Sequence, residues 1–178
     1  MRAANSSCDN GSMETLTLHS PEETLVLIPH LLGFHPEHHL VLLSLEHGGT
    51  DASQQRSRIG PIVTIDLNDH PLSPEVGASV ARAITQFRIR AAVIVLYAES
   101  PTREMIEYFD LIGDLAAEGT RAYGGELFAA YVAEDDGWRA MPLLLNKKRP
   151  WSDLESRPLA ADLIYSGSAP YPGPYVPP

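Results

Sequence analysis

Ala91-Ala92-Val93-Ile94-Val95-Leu96-Tyr97-Ala98 is the run on which the fold turns. It carries no charge, is rich in β-branched side chains, and lies between Arg88-Ile89-Arg90 and Glu99-Ser100-Pro101. A run of this length is short for a helix and too apolar for a strand with one wet face. It reads as a central strand covered on both sides.

Upstream, Ser73-Pro74-Glu75 has the order of a helix start: a capping residue, proline at the first helical position, and an acid against the positive end of the dipole. Val76, Val80, Ala83, Ile84 and Phe87 then recur at helical spacing, with Arg82 and Gln86 facing outward. Downstream, Ser100-Pro101-Thr102-Arg103-Glu104 opens a second helix, whose apolar stripe is Met105, Tyr108, Phe109, Ile112, Leu115 and Ala116 and whose predicted end is near Gly119. Leu127 to Val132 is a further strand. Trp138 to Leu145 returns beside it after the acidic turn Glu134-Asp135-Asp136-Gly137.

Ile62 to Asp66 is another apolar strand, so the chain from Ile62 to Val132 alternates strand, helix, strand, helix, strand. That order predicts right-handed crossovers with helices packed on a sheet. Leu40 to Leu45 predicts a strand pairing antiparallel with Ile62–Asp66, joined to it by an exposed polar connection from His47 to Gly60. Ahead of it, Ser20-Pro21-Glu22-Glu23 starts a helix running through Leu25, Val26, Leu27, Ile28, Leu31 and Leu32. Gly33 is placed to end that helix, and Pro29 to bend or shorten its last turns. Pro158 to Tyr165 predicts a short final helix. The expected fold is therefore α/β: one domain over residues 15–167, with a mixed sheet, parallel at its centre and antiparallel at its ends, and helices packed on it. Residues 1–14 are expected to be a disordered segment. Residues 168–178, with five prolines in eleven positions, are expected to be a proline-rich tail.

The 178 residues include 13 lysines and arginines against 23 acids, a formal charge of −10. Such a surface repels polyphosphates and anionic lipid, so neither nucleic acid nor membrane is an expected partner. The 44% hydrophobic and 20% charged content is that of a globular chain. The lone cysteine, Cys8, permits neither an intrachain disulfide nor a cysteine-rich zinc site. Residues 1–14 lack the apolar run of a signal peptide, and no later run approaches the roughly 18 apolar residues of a membrane span. A cytoplasmic location is expected.

Two segments, in order along the chain, resemble the actinobacterial family known as domain of unknown function 4192. The first is Leu16-Thr17-Leu18-His19-Ser20-Pro21-Glu22-Glu23 through Pro29, Leu31-Leu32-Gly33-Phe34-His35-Pro36 and Leu40-Val41. It looks like the family's Ser-Pro-Glu helix, Gly-Phe-x-Pro exit and apolar strand. The second is Leu159-Ala160-Ala161-Asp162-Leu163-Ile164-Tyr165-Ser166-Gly167, similar to the family's Ala-Ala-x-x-x-Tyr-x-Gly segment. Trp138 after Asp136-Gly137 sits where such proteins carry a Gly-Arg-Trp strand. The resemblance spans about residues 15 to 172. This chain would be a short form, lacking the cysteine-rich stretch and C-terminal extension of many relatives. The resemblance implies an α/β core and no established activity.

Several polar groups are candidates for chemistry. His35, His38 and His39, close to His30 and Glu37, bring imidazoles together as metal sites do. Adjacent residues at a strand start point to opposite faces, however, which separates His38 from His39. Gly33-Phe34-His35-Pro36 reads first as a helix exit, with His35 as an acid–base candidate if a pocket lies beside it. Asp66, Asp69 and His70, with Asn68, follow a strand and could form a catalytic or cation-binding group, or simply an Asx turn before Pro71. Tyr97, Glu99 and Ser100 end the central strand, where a cleft is conceivable or where Glu99 and Ser100 only cap a helix. Lys147-Lys148-Arg149 beside Trp151 is the one dense basic run and reads as a solvated loop. Pro174-Tyr175-Val176-Pro177 matches a minimal ligand for aromatic grooves, but in a proline-rich end it reads first as a frayed terminus.

Glycine-rich phosphate loops and the G-x-S-x-G elbow are missing from the sequence. No cofactor is expected. The leading expectation is a non-enzymatic cytoplasmic interaction or regulatory module with a protein or small-molecule partner. The alternative is a small-molecule or metal-dependent enzyme at the strand ends, using Asp66, Asp69 and His70 with His35 nearby.

Overall fold

A computed structural model describes residues 18, 20–48, 56–142 and 146–165. Segments 1–14 and 168–178, with their expected disorder and recognition motif, lie outside the described residues. The chain enters through a short 3-10 turn, Pro21–Glu23, and continues into α1, Thr24–Leu32. Strands β1, His39–Gly48, and β2, Arg56–Asp66, follow; then come α2, Pro74–Phe87, β3, Ala91–Tyr97, and α3, Arg103–Ala122. Strands β4, Glu126–Glu134, and β5, Gly137–Ala140, complete the sheet, and α4, Ser152–Glu155, and α5, Pro158–Tyr165, close the described chain.

The five strands form one mixed sheet in the order β2-β1-β3-β4-β5. β3 is its middle strand, and every one of its residues is buried. β3 and β4 run parallel, β1 is antiparallel to both β2 and β3, and β5 folds back antiparallel on β4. The α/β alternation is thus realised with one rearrangement. β1 slots between β2 and β3, so the crossover through α2 passes over a strand instead of joining neighbours.

Alternation along the strands divides the apolar interior into two layers. Leu40, Leu42, Ile94, Leu96 and Val132 face α2 and α3, which contribute Val76, Val80, Ile84, Phe109 and Ile112. Val41, Leu43, Val93, Val95 and Tyr131 face the other way, against Leu25 and Ile28 of α1 and Leu154 of α4. Leu27 of α1 packs on Leu159 and Leu163 of α5.

Local expectations were corrected at four places. The connection expected from His47 to Gly60 is shorter, because β1 continues to Gly48 and β2 begins at Arg56. α3 does not end at Gly119 but continues to Ala122; its cap is Thr102, whose hydroxyl accepts from the Met105 amide at 3.2 Å. Gly119 serves packing instead, since a Cβ there would lie 3.1 Å from the Ile84 side chain of α2. Phe87, placed on the buried stripe of α2, is 38% exposed. The strand expected over Trp138–Leu145 is β5, which ends at Ala140, while α1 carries Pro29 and runs on to Leu32 before Gly33 ends it at φ 77°, as expected.

Candidate functional site

The carboxyl ends of β3 and β4, the one parallel pair, open into a cleft of about 600 Å³. In open α/β sheets this edge is where ligands collect, because loops leaving parallel strands diverge there. α1 supplies one wall through Leu25, Val26, Pro29 and His30. The helix exit His35-Pro36-Glu37-His38 supplies the rim, and Trp151 and Glu155 of the α4 region close the far side. Tyr97, Ala98 and Glu99 come from the end of β3, and Ala133, Glu134 and Asp135 from the end of β4.

The cleft has a marked chemical bias. Glu37, Glu99, Asp135 and Glu155 line it, all of them exposed, together with three imidazoles, and among the described residues no lysine or arginine does. Glu134 stands apart from these carboxylates. It is 7% exposed and neutralised from behind by Arg139 at 2.6 Å and Lys148 at 2.7 Å. The Glu134 carbonyl accepts from the Trp151 indole at 2.9 Å, which fixes the ring against the cleft. Tyr97 is buried, and its hydroxyl has no hydrogen-bond partner among the described residues. Burial drives its phenol well above the ordinary tyrosine range, so it stays protonated.

The candidate residues are divided between two regions. His35 and His38 line this cleft, whereas His39 lines a groove on the opposite face of the sheet. The divergence starts at His38, whose backbone is left-handed at φ 50° and whose carbonyl accepts from the Leu67 amide at 2.8 Å. His39 turns back to hydrogen-bond the Glu37 carbonyl and packs edge-on against Phe34, with ring centroids 5.8 Å apart. Among the described residues, no three histidine, cysteine, aspartate or glutamate side chains are grouped to hold a metal ion.

Asp66, Asp69 and His70 do share a groove, of about 820 Å³, between β2 and α2. His35 is not part of it. The Asp66 carboxylate accepts from the Asn68 amide at 2.9 Å, and its carbonyl accepts from the His70 amide at 3.0 Å, which is the Asx-turn geometry. The basic run is exposed, and two of its three side chains have partners among the described residues. Lys148 pairs with Glu134 and Asp136, and the Arg149 guanidinium lies 5.2 Å from the centre of the Trp138 ring. Arg149 also bridges backbone to backbone with Trp138.

Sequence reading missed the walls of the cleft. Trp151 and Glu155 belong to α4, a one-turn helix too short to show periodicity, and only the turn acids Glu134-Asp135 signalled that β4 ends at this edge.

No helix among the described residues is long and apolar enough to cross a membrane. No curated protein and no solved structure matches the chain. A family model does match, over residues 21–173, and therefore covers the α1 wall, the helix exit through His38 and the strand ends that line the cleft, as well as α5. The chain belongs to the family described as Domain of unknown function (DUF4192).

Proposed function

We propose that this chain is a non-catalytic binding module of the cytoplasm, and that its ligand is a small molecule bearing an amine or guanidinium, seated at the carboxyl edge of β3 and β4. The observation that carries the reading is the cleft's lining: four exposed carboxylates on a concave, partly apolar surface with no lysine or arginine among the described residues. Its volume suits a small molecule, and Val26 and Trp151 offer apolar contact to the ligand's carbon skeleton. The single cysteine and the charge of −10 support a reducing, cytoplasmic setting.

Titration of the full chain with agmatine, followed by amide chemical shifts, tests this. Saturable shifts at Glu99, Asp135 and His35, with affinity falling about tenfold in the Glu99→Gln, Asp135→Asn double variant, are the expected result. Binding that ignores the double variant overturns it.

The groove holding Asp66, Asp69 and His70 favours a second reading, a small-molecule or metal-dependent enzyme at that edge. Calorimetric titration with zinc discriminates. Heat that disappears in Asp69→Asn supports the metal version, and a flat titration removes it.

A further inference from the structure

The opposite edge of the same two strands carries a different kind of cavity. It has a volume of about 770 Å³ and is lined by Phe87, Arg88 and Arg90 from the α2–β3 connection, Gly124 and Gly125 from the α3–β4 connection, and Phe128 and Ser44 from the sheet. Phe87 and Phe128 are two of the three large apolar side chains that are exposed among the described residues, and both line this one cavity. Neither Arg88 nor Arg90 forms an ion pair among the described residues, although the chain carries an excess of acids. Ser44 is 3% exposed, and its hydroxyl has no hydrogen-bond partner among the described residues.

We propose that this cavity is a second binding site, for a small aromatic oxyanion whose ring lies against Phe87 and Phe128 and whose charged group is held by Arg88 and Arg90, within reach of Ser44. Guanidinium groups are suited to this because their planar fork matches carboxylate and phosphate oxygens. A buried hydroxyl without a partner costs stability, and a ligand oxygen would supply what the fold does not.

One carboxylate and two helix ends argue against an anion here and are outweighed. Glu126 lines the cavity, and the carbonyl ends of α2 and α3 face this edge. Four carbonyls of the two last turns are already engaged, however: Ile84 and Thr85 accept from Ile89 and Arg88, and Thr120 and Arg121 from Gly125 and Gly124. One carboxylate then stands against two guanidinium groups.

The connection is also held in shape without help from the arginine side chains. The Arg90 carbonyl accepts from the Glu126 amide at 2.7 Å, and a Cβ on Gly125 would come within 1.6 Å of that carbonyl oxygen. Side-chain substitutions at Arg88 and Arg90 therefore test binding and leave the fold intact. Arg88→Gly is favoured further, because Arg88 sits at φ 50°.

The experiment is an amide-shift titration of the full chain with benzoate and with phenyl phosphate, alongside benzamide and inorganic phosphate. Saturable shifts at Ser44, Arg88–Ala91 and Gly124–Phe128 are expected with at least one aromatic anion, and which of the two binds tighter identifies the charged group. Arg90→Gln and Arg88→Gly should each weaken binding about tenfold without lowering thermal stability. Ser44→Ala should weaken it while raising stability. Equal binding of benzamide, shifts confined to the Tyr97 edge, or no saturation with either anion overturns the proposal.

Discussion

Arg157 and Ser20 meet across nearly the whole described chain: the Arg157 guanidinium donates to the Ser20 hydroxyl and, at 3.1 Å, to Glu22. The turn that leads into α1 is thereby joined to the segment between α4 and α5 through one side chain. Burial alone would raise the Glu22 carboxyl, but hydrogen bonds from the backbone and Arg157 overrule it and hold the group below the usual carboxylate range. A lowered native pKa means that Glu22 contributes stability at neutral pH which is lost as pH falls through the acid range. Arg157→Gln should cost about 2 kcal/mol by urea unfolding and should flatten the acid limb of the stability profile.

Tyr97 and Tyr131 predict the alkaline limb. Burial raises both phenols, with the nearby Glu22 charge adding to the effect at Tyr131. A raised native pKa keeps stability intact below the unfolded tyrosine value and removes it as pH rises past about 10. Stability measured from neutral to strongly alkaline pH should fall in that window, and the fall should be shallower in Tyr97→Phe. At neutral pH the same variant should be as stable as the parent or about 1 kcal/mol more so, because it deletes an unpartnered buried hydroxyl.

Gly125→Ala should be among the most damaging of small substitutions. Its Cβ would lie 1.6 Å from the Arg90 carbonyl oxygen, so the two connections that are pinned together must separate. A loss of about 3 kcal/mol is expected in thermal or urea unfolding. Gly113→Ala, where a Cβ meets nothing within 4 Å, is the matched control and should be neutral or mildly stabilising.

Glu134→Gln should cost about 2 to 3 kcal/mol, because it leaves Arg139 and Lys148 facing a neutral group at a largely buried position. Lys148→Met should cost less, about 1 kcal/mol, since Arg139 still covers the carboxylate. In that variant the Asp136 carboxyl, which a hydrogen bond from Lys148 holds below its usual range, should titrate at higher pH by NMR.

The elements were legible wherever a local pattern had one physical meaning. Ala91–Tyr97 is apolar at every position because it is covered on both faces, and Ser73-Pro74-Glu75 can hardly be anything but a helix start. The place of β1 between β2 and β3 was not legible, since strand order is settled by long-range pairing that leaves no local trace. Gly119 misled for a similar reason: the same residue ends a helix or admits a neighbouring one, and only the approach of Ile84 tells which. At the candidate site, Tyr97 and Glu99 could be placed from the strand they end. Trp151, Glu155 and the division of His35 from His39 could not, because they depend on how distant segments meet.

β3 also acts as a ruler. Its seven residues set the two cavities about 20 Å apart, end to end through backbone with no solvent access. No small molecule can reach from one mouth to the other, so the two occupancies are separate quantities. A ligand at the Tyr97 edge and another at the Ser44 edge should titrate independently, and silencing either leaves the other readable.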